Sequence, residues 1–154
     1  MAQQKILLPY NFTPNDRKAL DFVIRTFPKG KDVEITLFNA YIPVPVIDIK
    51  GSPVMEKIKG QMDQLAKKVY ELEAALKGAK QNLLQSGFGK DRVNHIFEPI
   101  KKDIAVDIVD QIEKGKFDVV VLNRKPAKIA RLFTRSIFMK VVSSIKDVTV
   151  CIVN

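Results

Sequence analysis

Apolar positions change their spacing several times along the chain, and each change marks an element. "KILLP" (Lys5–Pro9) is a short continuous apolar run followed by turn residues, the pattern of a buried strand. In "NFTPNDRKALDFVIRTF" the spacing lengthens, with Ala19, Leu20, Val23, Ile24 and Phe27 recurring at helical intervals. Thr13 supplies an N-cap, Pro14 fits the first turn, and Asp16 complements the positive end of the helix dipole. "PKGKD" ends this helix, and "VEITLFNAY" returns to the alternating, β-branched pattern of a strand. Proline interrupts "IPVPVIDIKGSP", which is therefore predicted to be a loop.

From about Pro53 to Ser86 the pattern is helical again. Met55, Ile58, Met62, Leu65, Val69, Leu72, Leu76, Ala79 and Leu83 step by three and four without a break. Such spacing suits an amphipathic helix and is also the signature of a coiled coil. At ~1.5 Å per residue, roughly 30 residues reach about 45 Å, longer than a small sheet needs. The expected arrangement is one helix packed on the sheet with its far end projecting; the other reading is a helix (53–86) for a protein partner or a second copy. Gly60 and Gly78 weaken it. "SGFGKD" closes the helix. It lacks the G-x-x-x-x-G-K-[ST] spacing and leads into a strand, so it is no phosphate loop.

"RVNHIFEP" reads as a third strand and "DIAVDIVDQIEKGK" as a third helix. "FDVVVL" is apolar throughout, as expected of a parallel strand buried on both faces. "LFTRSIFMKVVSSI" is predicted to be a fourth helix and "VTVCIV" a last strand. This β-α alternation predicts a three-layer α/β/α fold around a five-stranded parallel sheet. Ligands in such sheets sit outside the carboxyl ends of the strands, where the strand order reverses. Two segments would meet there: "PYNFT" after the first strand and "NRKPAK" after the fourth.

Composition narrows the class. The 154 residues, 46% hydrophobic and 28% charged, are expected to form a single domain over 1–154. No apolar run is long enough to span a membrane, and "MAQQKILLPYNF" reads as a strand rather than a signal peptide. Cys151 is the only cysteine and makes no internal disulfide, in keeping with a cytoplasmic location. Charge is unevenly placed: residues 1–60 carry +3, 61–120 carry zero and 121–154 carry +6 of the net +9. Between Arg124 and Lys140 there are six basic residues and no acidic one. That segment is either a solvated surface or an anion-binding face. His95 has no second histidine, cysteine or carboxylate at metal spacing, and Cys151 has no histidine near it in sequence. No catalytic constellation is present, so the chain is not expected to be an enzyme.

The two segments at the predicted switch point carry a resemblance. "KILLPYNFTPNDRKALDFV" resembles the opening of the universal stress protein family, where the first strand meets a proline, an aspartate and a serine before helix one. "FDVVVLNRKPAKIARLFTRSIFMKVVSSIKDVTVCIV" resembles its closing segment, in which a strand meets G-x-x-G, about nine residues, then G-[ST], a helix and a final strand. The resemblance covers nearly the whole chain. It implies the adenine nucleotide alpha hydrolase-like, flavodoxin-like topology with strand order 3-2-1-4-5. It also implies a homodimer through the last strand, here Val148–Val153.

Site residues follow position by position. Pro9 matches the family proline and Thr13 the serine, while the adenine-contacting aspartate falls on Asn11. The loop glycines fall on Asn123, Pro126 and Arg135, the last with one residue fewer between, and Ser136 matches the residue after them. Backbone near Ala40 would form a third wall. Every glycine of the phosphate motif is therefore replaced. Glycine lets backbone approach phosphate and reach positive φ, whereas Pro126 offers no N–H and Arg135 adds a long side chain. Arg124, Lys125, Lys128 and Arg135 can instead hold phosphate by charge. The family has members without the glycine motif that do not bind ATP. The expectation is thus a binding and signalling protein with lost or weakened ATP binding and no cofactor. The alternative is an ATP-binding protein that uses basic side chains.

Two rivals come from other classes. Net charge +9 allows weak, salt-sensitive nucleic-acid binding, but no recognised module is present, and Phe133 and Phe138 fall on the apolar side of their helix. A nucleotide-α-hydrolase enzyme would need a glycine-rich loop after the first strand, which "PYNFTPND" does not supply.

Overall fold

The computed structural model describes residues 3–45, 53–123 and 137–154. Five strands and four helices alternate: β1 (Gln4–Pro9), α1 (Pro14–Thr26), β2 (Val33–Tyr41), α2 (Pro53–Gln85), β3 (Val93–Pro99), α3 (Ile104–Gly115), β4 (Val119–Asn123), α4 (Ile137–Ser144) and β5 (Thr149–Val153). The predicted elements are all present. A 3-10 turn over Lys90–Arg92, which the sequence pattern does not announce, leads into β3. The proposed start of the fourth helix before Ile137 lies outside the described residues.

All five strands form one sheet in the order β3-β2-β1-β4-β5, as expected, and every pairing is parallel. The register runs Pro9 at the end of β1 against Phe38 within β2, and Asn123 against Val153 at the end of β4 and β5. Central strands must be covered on both faces, and their sequences meet that need: Ile6, Leu7 and Leu8 are all fully buried. One face takes Ile6, Leu8, Ile35 and Leu37 together with Ala19, Leu20 and Val23 of α1 and Leu76, Ala79 and Leu83 of α2. The other takes Leu7, Phe38, Val120 and Leu122 with Ala105, Ile108 and Ile112 of α3 and Val141 of α4. Helices α1 and α2 thus share one face, while α3 and α4 share the other.

Local chemistry fixes the turns. Asp103 caps α3 by accepting from the Val106 N–H at 2.9 Å. Lys116 ends that helix in the left-handed conformation (φ 52°), and its successor Phe117 turns back into the core. Lys5 then ties β1 to this corner. Its Nζ donates to the Gly115 carbonyl at 2.6 Å and stands 5.1 Å from the centre of the Phe117 ring. Asp118 Oδ2 accepts from the Lys5 N–H at 2.8 Å, which aligns β1 with β4.

Among the described residues no helix is long and apolar enough to cross a membrane.

Candidate functional site

The strand order reverses between β1 and β4, so the carboxyl ends of these strands and of β2 frame the site an open α/β sheet offers a ligand. The chain leaves β1 through Tyr10, Asn11 and Phe12. Phe12 adopts φ 63°, a left-handed conformation that bulky residues seldom take. Its ring is braced edge-to-face against Tyr10, with centroids 5.1 Å apart.

The residues on either side of Phe12 then aim their N–H groups at one point. Backbone N–H groups gathered in this way form a nest that binds an anion. The anion here belongs to the chain itself. Asp16 Oδ2 accepts from the Asn11 N–H at 3.1 Å, the Thr13 N–H at 3.1 Å and the Thr13 hydroxyl at 2.7 Å. Asn123 Nδ2, from the end of β4, donates to Oδ1 of the same carboxylate. Thr13 Oγ1 in turn accepts from the Asp16 N–H at 3.2 Å, completing a capping box at the start of α1. Asp16 is only 1% exposed.

Asn39 of β2 forms the neighbouring wall. Its Nδ2 donates to the Tyr10 carbonyl at 2.8 Å and to Asn11 Oδ1 at 3.3 Å. Its Oδ1 is buried and finds no hydrogen-bond donor among the described residues. The site therefore presents three carboxamides, Asn11, Asn39 and Asn123, around one buried carboxylate. Burial also pushes the Tyr10 hydroxyl above its ordinary pKa, which keeps it neutral.

Asn11, Thr13 and Asn123 are thus brought together, with Pro9 closing β1 immediately before them. Ala40 is buried on the opposite face of the sheet, in the core shared with α3. Arg124, Pro126, Arg135 and Ser136 lie outside the described residues. Two residues of the site escape the sequence reading. Asp16 reads there only as a dipole residue, although Thr13-x-x-Asp16 carries the spacing of a capping box, and Asn39 is a lone polar residue within the otherwise apolar run "LFNAY".

No protein-family model and no curated protein matches this sequence. Solved structures do match. Hypothetical protein MJ0577 superposes with a TM-score of 0.72 at 18% identity, over 99% of this chain and 96% of that one. A universal stress protein from Archaeoglobus fulgidus in complex with dAMP gives 0.64 at 13% identity, over 100% of both chains. A universal stress protein in complex with cAMP gives 0.64 at 14% identity, over 99% of this chain and 97% of that one. The fold is that of the universal stress proteins. At these identities the likeness carries the universal-stress topology and leaves the ligand to be argued from the residues.

Elsewhere the described residues offer less. A shallow groove of about 520 Å³ lies beside α3, lined by Glu98, Lys101, Asp107 and Gln111 among others. Its buried polar groups are already paired: Asp107 accepts from the Lys101 N–H at 2.9 Å, and Gln111 donates to Glu98 at 2.9 Å. His95 sits half-buried on β3, where burial first and then Lys80 and Lys77 lower its pKa. Burial raises the pKa of Cys151, which keeps it a thiol at neutral pH. Among the described residues no group of three or more His, Cys, Asp or Glu is placed to hold a metal ion.

Proposed function

We propose that this chain is a divergent universal stress protein that acts in the cytoplasm by binding and signalling rather than catalysis, with ATP binding lost or severely weakened. One observation carries the reading: the donors around the first loop already hold the Asp16 carboxylate. A nucleotide bound there would compete with that carboxylate for the Asn11 and Thr13 donors, and its phosphates, beside Asn123 at the head of the second loop, would face it. Two unit charges 4 Å apart repel by about 4 kcal/mol at the screening typical of a protein surface. The replacement of every loop glycine, at Asn123, Pro126 and Arg135, acts in the same direction.

A second reading has its own support. Similar structures are described as complexes with dAMP and cAMP, and the unpaired Asn39 oxygen could accept from an exocyclic amine. On that reading Arg124, Lys125, Lys128 and Arg135 supply the charge that backbone N–H groups supply elsewhere. The third, binding of nucleic acid by charge alone, rests on the +6 carried by residues 121–154.

Native mass spectrometry of the purified protein followed by calorimetric titration with ATP and Mg²⁺ separates these readings. The expected result is a nucleotide-free protein and no heat up to millimolar ATP. Co-purified ATP, or micromolar affinity abolished by Arg135→Ala, would establish the second reading. Binding of polyanions with steep salt dependence and no nucleotide preference would establish the third. The proposal includes a homodimer through β5, which ends the sheet with Ile152 46% exposed. An uncovered apolar edge strand is otherwise a liability.

A further inference from the structure

Helix α2 has two halves with different surroundings. Its 33 residues span roughly 50 Å, while the seven residues of β3 span roughly 23 Å. Among its described residues only Leu76, Ala79 and Leu83, in the second half, are buried, in the core that includes β2 and β3. In the first half the same stripe continues as Met55, Ile58, Met62, Leu65, Val69 and Leu72. None of these six is fully buried: Leu65 is 43% exposed, the other five are half-buried, and among the described residues none joins either core cluster.

The stripe's form says what fits it. Strict three-four alternation gives a narrow seam of alternating a and d positions, the form that pairs with one other helix where no sheet covers it. Met55, Met62 and Val69 occupy a; Ile58, Leu65 and Leu72 occupy d. Antiparallel helices pair a with d, and this stripe pairs with itself about a point between Met62 and Leu65. The layers are Met55 on Leu72, Ile58 on Val69 and Met62 on Leu65, each occurring twice by symmetry. The flanking positions then set Gln61 against Lys68 and Lys59 against Ala66, so no like charges meet. Residues 53–72 carry four lysines and three carboxylates, so this half is nearly neutral in a chain of +9.

The fold also chooses the direction. Beyond Leu72 the stripe faces the chain's own sheet. A parallel, in-register pair would place both sheets in a gap of roughly 10 Å between helices. An antiparallel pair places the two sheets at opposite ends. Six apolar side chains from each copy bury on the order of 1,000 Å², the lower edge of a stable interface.

We infer that the first half of α2 is an antiparallel coiled-coil surface for a second copy of this chain, centred between Met62 and Leu65. Sedimentation of the full chain tests it in an Ile152→Lys background, which removes pairing through β5. At about 100 μM this variant should be a dimer. Adding Leu65→Lys should raise the Kd at least tenfold without changing the circular dichroism or the unfolding midpoint. A monomeric Ile152→Lys variant with native dichroism overturns the inference. So does a Leu65→Lys change that lowers the unfolding midpoint and leaves the mass unaltered, because the stripe would then be covered within the chain. Orientation is read with Cys151→Ser proteins carrying Met62→Cys or Leu65→Cys. Disulfides formed only when the two are mixed support the antiparallel pair, and disulfides within either protein alone overturn it.

Discussion

Replacing Asp16 by alanine would leave the N–H groups of Asn11 and Thr13 and the Asn123 amide without their acceptor, in a place solvent barely reaches. Buried donors left unpaired, together with a lost helix cap, cost about 2–3 kcal/mol, and urea unfolding of Asp16→Ala should show a loss of that size. Another residue-level test concerns His95. Its folded pKa lies below the ordinary 6.5, so the unfolded chain takes up the proton first as pH falls. The stability this neutral imidazole contributes is complete above pH 6.5 and is lost as pH drops through the folded pKa. Urea titrations at pH 7.5 and pH 5 should show a smaller drop for His95→Gln than for the parent chain. Legibility was uneven at this scale. Asn11, Thr13 and Asn123 could be read because they stand at strand ends, where the topology sends ligands. Asp16 could not be placed, because its carboxylate reaches back to the loop only after Phe12 takes a left-handed φ, which no propensity foretells.

Whole elements were far easier to read, and the reason is periodicity. Strands β1 and β4 are apolar runs, β2 alternates and is β-branched, and each helix repeats its apolar positions, so α1, β2, α2, α3 and β4 all appear where the pattern puts them. The 3-10 turn at Lys90–Arg92 has no such repeat and went unseen. Gly60 and Gly78 give α2 a separate test. The helix passes through both without a break, and a Cβ placed at either would meet nothing within 4 Å. Both lie off the apolar stripe. Gly60→Ala and Gly78→Ala should therefore each stabilise the protein by about 0.5–1 kcal/mol in thermal or urea unfolding, since alanine only restricts the unfolded backbone and favours the helix. Loss of stability in either variant would show that a neighbour approaches the glycine closely.

The whole molecule owes its shape to one rule: a parallel sheet must be covered on both sides, and four helices do this two by two. The strand order was expected from the resemblance, because alternation alone does not fix it. What the sheet leaves uncovered, the outer edge of β5 and the first half of α2, are features of the molecule as a whole that no single element reveals. The loop at Asn11–Thr13 has a further consequence. A protein whose fold is tightened by a diffusible ligand becomes more stable when that ligand is plentiful and less so when it is scarce. Here the anion that orders the loop is tethered five residues along the same chain, so its local supply never varies. On the reading proposed above, the order of this loop is thereby independent of any diffusible nucleotide, and its stability should be the same whether nucleotide is plentiful or scarce.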